Sequence, residues 1–246
     1  MSQSTENITK SQSTNYFAAL VDIFVEPKSA LNYAAQKPGS LWPTWLLISL
    51  VTMAMFFLFY YQLDLDFYNQ KVVADHVLAH GQQPDEELLS FLLLEERFDW
   101  QAWLVLAMVP IGILVGALLY ALYLFLVSLA MSEQKINYGT WLSIAIWCSM
   151  PSIVDSLIGM LRIMQFGGQL DTSMMMVSLQ TFVQLPADHL MQTVLTGITI
   201  SSLWGLVLGF IAVKQRLNCY AISATVIVVI PTLVVLSIAP LFKLIF

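Results

Sequence analysis

The sequence predicts an all-α, polytopic transmembrane bundle of five helices, preceded by short interfacial helices at the amino terminus. Hydrophobic residues make up 58% of the 246 residues and charged residues only 11%, whereas soluble domains average about 45–50% apolar and about 25% charged. This surplus of apolar surface requires lipid as the solvent around the protein. The apolar residues also form long continuous runs, without the inside–outside alternation of a membrane β-barrel.

The first forty residues are predicted to lie outside the hydrocarbon core. Residues 1–15 are polar and are expected to form a disordered cytoplasmic tail. Within residues 16–40, the apolar sequence YFAALVDIFV stops before Pro27 and a second short helix is expected to stop before Pro38. Two placements remain open for the first helix: it lies along the cytoplasmic membrane surface, or it docks against the bundle.

Five apolar runs are each long enough for the about 20 helical residues that cross the hydrocarbon. Because every backbone N–H and C=O must be paired inside lipid, each run is expected to be a helix. Trp42, Tyr61 and Trp103 lie near the ends of these runs, as suits aromatic rings at the headgroup level. The expected transmembrane domain covers residues 41–246, with spans at about 41–61, 103–131, 138–164, 190–213 and 221–246.

The connections between the spans differ in charge, and this difference predicts the orientation. Lys and Arg occur mainly in the amino-terminal segment and in the second and fourth connections, and cations favour the cytoplasmic side. The amino terminus is therefore expected in the cytoplasm and the carboxyl terminus outside it. The first connection, residues 62–99, is expected to be an acidic extracytoplasmic loop, helical in part between Glu86 and Phe98. The net charge of -6, with no basic run, excludes a nucleic-acid footprint.

The third span contains a candidate intramembrane polar site in the sequence PSIVDS. A carboxylate at the bilayer centre costs about 2.5–3.5 kcal/mol, so Asp155 is expected to face the bundle or a cavity. Arg162 follows two turns later on the same helix face, and Pro151 removes a backbone hydrogen bond and predicts a kink. With Ser152 and Ser156, these residues indicate either an ion, proton or polar-solute site, or a structural contact between helices.

Two GxxxG pairs predict close helix packing rather than chemistry. They are Gly112 with Gly116 and Gly205 with Gly209, and such pairs let two membrane helices approach each other, within one bundle or between copies of the chain.

The histidines form only a weak metal pattern. His76 and His80 share a helical face and His189 is expected on the same extracytoplasmic side, but solvated surface side chains are the preferred interpretation. No metal or other cofactor is predicted. Hydrolase, phosphate-loop and zinc-protease motifs do not occur in the sequence, so no enzymatic activity is expected.

Several segments match one known family in their order along the chain and in their residue types. They are IFVEPKSALNY before the first span, WLSIAIWCSMPSIVDSLIGM in the third, the amphipathic SLQTFVQL, and SLWGLVLGFIAVKQRLNCYAISATVIVVIP across the last two. Over about residues 20–240 the chain resembles the Yip1-domain family, in particular its bacterial members. The resemblance implies five spans, a cytoplasmic amino terminus and a bacterial inner membrane. Eukaryotic members act in vesicle traffic with Rab GTPases, but the short amino-terminal region and the acidic loop depart from that type.

Two functions follow as hypotheses. The first is a non-enzymatic scaffold or adaptor that organises the membrane, other membrane proteins or further copies of this chain. The alternative is a transporter, channel or lipid-translocating protein that uses the polar site at Asp155 and Arg162.

Overall fold

The computed structural model describes residues 15–131, 135–169, 175, 177–185 and 189–245, and the regular elements within them are helices. The expected tail lies outside these residues, apart from Asn15. The predicted all-α bundle is confirmed, because five segments are long and apolar enough to cross a membrane. These segments are Pro38–Gln62, Trp100–Met131, Tyr138–Gln169, Ile200–Leu217 and Ala221–Ile238.

Two short helices precede the first span. Helix α1 covers Tyr16–Val25 and helix α2 covers Pro27–Gln36. The Asn15 side chain caps α1 by accepting a hydrogen bond of 2.8 Å from the Ala18 N–H. Pro27 occupies the first position of α2, where a backbone N–H would have no partner within the helix, so the lack of one in proline costs nothing.

One face of the amino-terminal helices docks against the bundle. Ile23 is fully buried, the Ser143 hydroxyl donates to the Ala34 carbonyl at 2.9 Å, and Arg216 donates to the Asn32 side chain at 2.8 Å. The opposite face of α1 is apolar and leaves Val21 62% exposed. The docked placement therefore holds for one face, while contact of the other face with lipid stays a prediction.

The first span and the acidic connection contain three helices. Helix α3 covers Leu41–Gln62, α4 covers Leu65–His80 and α5 covers Glu86–Leu92. The sequence singled out residues 86–98 as a helix-forming part of the connection, whereas α4 fills most of the first half. Asp64 caps the start of α4 by accepting from the Phe67 N–H at 3.1 Å, and Gly81 ends it with a φ of 71°.

Of the remaining spans, the third is interrupted and the fourth begins later than the sequence predicts. The fourth span differs most from the sequence prediction, since its long helix begins at Ile200 and not near residue 190. The Thr199 side chain caps this start in a reciprocal pair with Ser202, which separates it from the short helix before it. The remaining helices are α6 (Trp100–Met131), α7 (Tyr138–Cys148), α8 (Ser152–Phe166), α9 (Leu179–Val183), α10 (Leu190–Gly197), α11 (Ile200–Leu217) and α12 (Ala221–Ile245).

Hydrogen bonds between helices fix the packing of the bundle. Thr52 on α3 and Ser156 on α8 share one at 3.1 Å. Tyr123 on α6 donates to the Ile227 carbonyl on α12 at 3.0 Å. Trp141, which is fully buried, donates from α7 to the Ser128 hydroxyl on α6 at 3.1 Å. Such bonds average about 0.6 kcal/mol in membrane proteins, so close packing supplies most of the stability.

Candidate functional site

The third span is broken at Pro151, between α7 and α8. The sequence predicted a kink here, and the structure has a complete interruption of the helix over residues 149–151. The backbone N–H groups on either side bond three residues back: that of Met150 reaches the Trp147 carbonyl at 3.1 Å and that of Val154 reaches the Pro151 carbonyl at 2.9 Å. These tighter bonds satisfy the backbone inside the membrane and start a second helix in mid-span.

Asp155 lies in the first turn of this second helix. Its side chain is buried, at 4% exposure, and the Ser201 hydroxyl on α11 donates a hydrogen bond to its Oδ2. Ser201 also shares a hydrogen bond of 3.0 Å with Thr199, the cap of α11. Because Ser156 is bonded to Thr52 at 3.1 Å, near the midpoint of α3, the carboxylate lies deep within the span.

Two helix amino termini meet at this carboxylate, since Asp155 and Ser201 each occupy the first turn of their helix. A helix amino terminus stabilises a negative charge by about 0.3–1 kcal/mol. The two ends together offset less than the about 2.5–3.5 kcal/mol that a carboxylate costs at the bilayer centre. Within the described part of the chain, Ser201 is the hydrogen-bond donor to Asp155. The helix ends alone therefore do not offset this cost, and the hydrogen bond from Ser201 contributes to the remainder.

Asp155 and Ser201 line a cavity of about 450 Å³ in the centre of the bundle. All five spans contribute to its wall. Most of the wall is apolar and contains Ile113, Ala145 and Leu206, as is usual for cavities that bind small molecules. Hydroxyl groups interrupt this apolar surface, and they come from Thr52, Tyr120, Ser149, Ser152, Ser156, Thr199, Ser201, Ser202 and Thr232.

The predicted site residues are brought together in part. Ser152, Asp155 and Ser156 line the cavity, and Pro151 forms the break beside it. Arg162 lies two turns further along α8, half-buried, and is not among the residues that line this cavity. A role for Arg162 in the same site therefore stays a proposal.

Sequence reasoning missed the contribution of the fourth span, above all Ser201. The signal was present as the polar residues of the segment TISS, which interrupt an apolar run immediately before Leu203. Thr199 and Ser202 have the spacing of a helix cap. That spacing marks a helix start inside the membrane, where an unbroken span has no need for one.

The two glycine pairs have different surroundings. A Cβ at Gly205 would meet the Cys148 carbonyl oxygen at 3.1 Å, and one at Gly209 would meet the Tyr120 hydroxyl at 2.9 Å. This pair therefore packs inside the bundle. Nothing lies within 4 Å of a Cβ built at Gly112 or Gly116, so that pair is open to the outside among the described residues.

The histidine pattern does not assemble a metal site among the described side chains, where no group of three or more His, Cys, Asp or Glu residues comes together. His189 instead caps α10, where its Nδ1 accepts a hydrogen bond of 3.1 Å from the Met191 N–H. Asp75, next to His76, pairs with Lys71 at 3.1 Å on the surface of α4.

Outside the spans, burial raises the pKa of two tyrosine phenols. Burial is the main cause for Tyr16, where the hydrogen bond with Thr44 opposes the shift and nearby Tyr33 adds to it. Burial alone raises the pKa of Tyr68 on α4. Both phenols therefore stay neutral over the physiological range and act as hydrogen-bonding or packing groups.

Five helices long and apolar enough to cross a membrane are typical of a polytopic integral membrane protein. The family model of the Yip1 domain matches residues 21–242, and the chain belongs to this family. No curated protein and no solved structure matches the chain.

Proposed function

We propose that the protein is a non-enzymatic carrier that binds a small cationic solute in the cavity around Asp155. One observation carries this proposal: a carboxylate lies deep in the membrane on the wall of a 450 Å³ cavity, among hydroxyl groups from every span. Intramembrane carboxylates that face a cavity are typical of ion and substrate pathways. A carrier of this kind belongs in the second of the two function classes that the sequence left open.

The chemistry of the wall favours a cation over an anion. Asp155 supplies a negative charge on the cavity wall. The hydroxyl oxygens of residues such as Ser152 and Thr232 can accept hydrogen bonds from an ammonium group or coordinate a metal cation. Among the described residues, the wall has no Lys, Arg or His side chain to receive an anion. We assign the charge pairing to Asp155 and the orientation of its carboxylate to Ser201.

The breaks before α8 and before α11 supply the element that would move. Both breaks border the cavity, one at Pro151 and the other at Thr199. Broken helices that form a midplane site are a recurrent feature of transporters, where one part of the bundle rocks against the other around that site. We propose that Arg162, further along α8, lies on the exit path. We also propose an inner-membrane location with the amino terminus in the cytoplasm.

Binding of three probes to purified protein tests this proposal. Choline, ethanolamine and Na⁺ are each titrated against wild type, Asp155→Asn and the control Glu95→Gln, which removes an exposed charge from the first connection. We expect saturable binding of at least one probe by wild type and by the control, and a loss of tenfold or more in Asp155→Asn. Equal binding by Asp155→Asn, with an unchanged unfolding temperature, would overturn the proposal.

Transport is then measured in proteoliposomes with the probe that binds. A carrier takes up the labelled probe against an empty-liposome background, and Asp155→Asn lowers that uptake to the background. Binding without uptake would exclude a carrier and leave a membrane receptor for the same solute.

The adaptor hypothesis retains one specific supporting observation, the exposed apolar face of α1. Phe17 is 77% exposed and Val25 78% exposed, although α1 is held to the bundle by its other face. A photocrosslinking amino acid in place of Val25 shows whether this face contacts a protein or lipid in intact cells. A discrete protein adduct at this position supports an adaptor, and labelling of lipid alone counts against it.

A further inference from the structure

A second cavity lies on the outer surface of the bundle, between α8 and α11. This groove has a volume of about 400 Å³ and is almost entirely apolar. Val154 is 43% exposed, Leu203 44% and Val207 42%, so the groove opens sideways from the bundle. These residues belong to spans three and four, and the open side therefore faces the bilayer.

The groove and the central cavity are adjacent. Asp155 and Ser201 line both of them. Their hydrogen bond therefore lies at the boundary between an apolar space open to lipid and a hydroxyl-lined space inside the bundle. A ligand in the groove can place a polar group against the Asp155 carboxylate without leaving the membrane.

A buried hydrogen-bond donor beside the groove lacks a partner among the described residues. Trp204 lines the groove, and its indole Nε1 is buried with no acceptor among the described residues. A buried, unpaired N–H costs about 1–3 kcal/mol. An ester or phosphate oxygen of a bound molecule would accept this hydrogen bond after a small movement of the ring.

The amino-terminal helix closes one side of the groove. Phe24 of α1 lines it, together with Pro151 and Ile158 of the third span. Helix α1 is held to the bundle on its buried face by side chains such as Ile23, which is fully buried. The wall therefore combines the break at Pro151 with a side chain of the amino-terminal helix.

We infer that this groove binds a phospholipid with an ammonium headgroup. Its apolar surface takes an acyl chain, Trp204 donates to an ester or phosphate oxygen, and the ammonium group pairs with Asp155. A lipid is the occupant because the groove opens into the bilayer, where acyl chains are the solvent. The inference rests on the proposed function in one respect: Asp155 is the ligand-binding carboxylate in both. It extends that function by assigning lateral entry from the bilayer.

Photolabelling in nanodiscs tests the inference. The full chain is reconstituted with a trace of photoactivatable phosphatidylethanolamine or, in parallel, phosphatidylglycerol, and the labelled residues are mapped by mass spectrometry. We expect the ethanolamine lipid to label the groove residues at least fivefold more than the glycerol lipid. Equal labelling by the two lipids, or no excess over the lipid-facing surface of α12, would overturn the inference.

Three variants sharpen the result. Leu203→Trp fills the groove, and Leu233→Trp is its control, since Leu233 is an exposed leucine of α12 that lines neither cavity. We expect Leu203→Trp to lose groove labelling and Leu233→Trp to retain it. Asp155→Asn should abolish the preference for the ethanolamine lipid while acyl-chain labelling of the groove remains. Retained headgroup preference in Asp155→Asn contradicts the inference.

The same variants separate this inference from the proposed function. If choline, ethanolamine and Na⁺ all fail to bind while the lipid preference is present and depends on Asp155, the soluble-solute carrier is wrong and the lipid site stands. If a soluble probe binds equally to wild type and Leu203→Trp but the groove shows no lipid preference, the solute site stands and the lipid inference falls.

Discussion

Ser201 on α11 donates a hydrogen bond to the buried Asp155 carboxylate on α8, and this contact joins the first turns of these two helices. The pair lies where two helix amino termini, a hydroxyl-lined cavity and an apolar groove meet. The same hydrogen bond therefore contributes to the stability of the bundle and to the shape of the candidate binding site.

Removing the Ser201 hydroxyl is expected to destabilise the bundle. A hydrogen bond to a charged group contributes about 1.5–3 kcal/mol, and bonds within membranes fall at the low end of such ranges. Ser201→Ala should therefore lower the free energy of unfolding by about 1–2 kcal/mol in a detergent titration. The control is Ser237→Ala on α12, whose exposed hydroxyl bonds only to the Val234 carbonyl of its own helix. Equal effects of the two substitutions would argue against a stabilising contact.

The contact between α6 and α11 at Gly209 predicts a rescue experiment. A Cβ at Gly209 would meet the Tyr120 hydroxyl at 2.9 Å and Val228 Cγ1 at 3.2 Å. Gly209→Ala should destabilise the bundle, since overpacking typically costs about 1–3 kcal/mol. Tyr120→Phe removes the closest atom and should restore part of the loss when the two are combined.

Gly116→Ala is the matched control for that substitution, because nothing lies within 4 Å of a Cβ there. Ala exceeds Gly in helix propensity by about 0.8–1.0 kcal/mol, so this variant should be neutral or slightly more stable. Thermal unfolding of the variants in one detergent makes the comparison. If Gly209→Ala combined with Tyr120→Phe is no more stable than Gly209→Ala alone, Tyr120 does not restrict position 209.

Docking of α1 can be tested with two substitutions on the same helix. Ile23 is fully buried, whereas Val21 is 62% exposed. Ile23→Asp would bury a charge against the bundle and should release α1, so that a protease cleaves the amino-terminal segment at least tenfold faster. Val21→Asp should leave the docked helix protected. Comparable cleavage of the two variants would contradict the packing of this face.

The sequence predicts the spans well because their signal is local: a run of apolar residues at Trp100–Met131 is long enough by itself. It predicts a kink at Pro151 for the same reason, since proline acts on its own helix, although the structure has a complete break there. The break at Thr199 was missed because hydrophobicity averaged over a window is little affected by a few hydroxyl groups. The partnership of Asp155 with Ser201 joins residues 46 positions apart and depends on which helices become neighbours.

The sequence also did not single out helix α4, because this segment lacks the periodicity of a surface helix. Its sequence LDFYNQKVVADHVLAH has no amphipathic pattern that would mark it as a surface helix. The start and end signals at Asp64 and Gly81 were available, and they proved more informative than periodicity. Asn69 adds a tertiary contact by exchanging two hydrogen bonds with the backbone of Leu94, at 2.9 and 3.0 Å.

Alkaline pH should weaken the attachment of α1 through Tyr16. Burial raises the pKa of this phenol above its ordinary value, so the folded state favours the neutral form. The resulting stability is fully present below the unfolded pKa of about 10 and is lost as the pH rises through the higher folded value. The free energy of unfolding should therefore fall more steeply in wild type than in Tyr16→Phe between about pH 9 and about pH 11. Parallel curves would contradict the shift.

Cysteine labelling tests the orientation that charge predicts. Cys148 is buried and Cys219 lies in the turn between α11 and α12, so the native chain offers one accessible thiol among its described residues. Gln82→Cys adds an exposed thiol in the first connection, which an odd number of crossings places on the opposite side from Cys219. In intact cells an impermeant maleimide should label position 82 at once and Cys219 only after permeabilisation.

The double variant Gln82→Cys with Cys219→Ser identifies the labelled thiol. Labelling of both positions before permeabilisation would require a different number of crossings between them, and labelling of Cys219 alone would reverse the orientation.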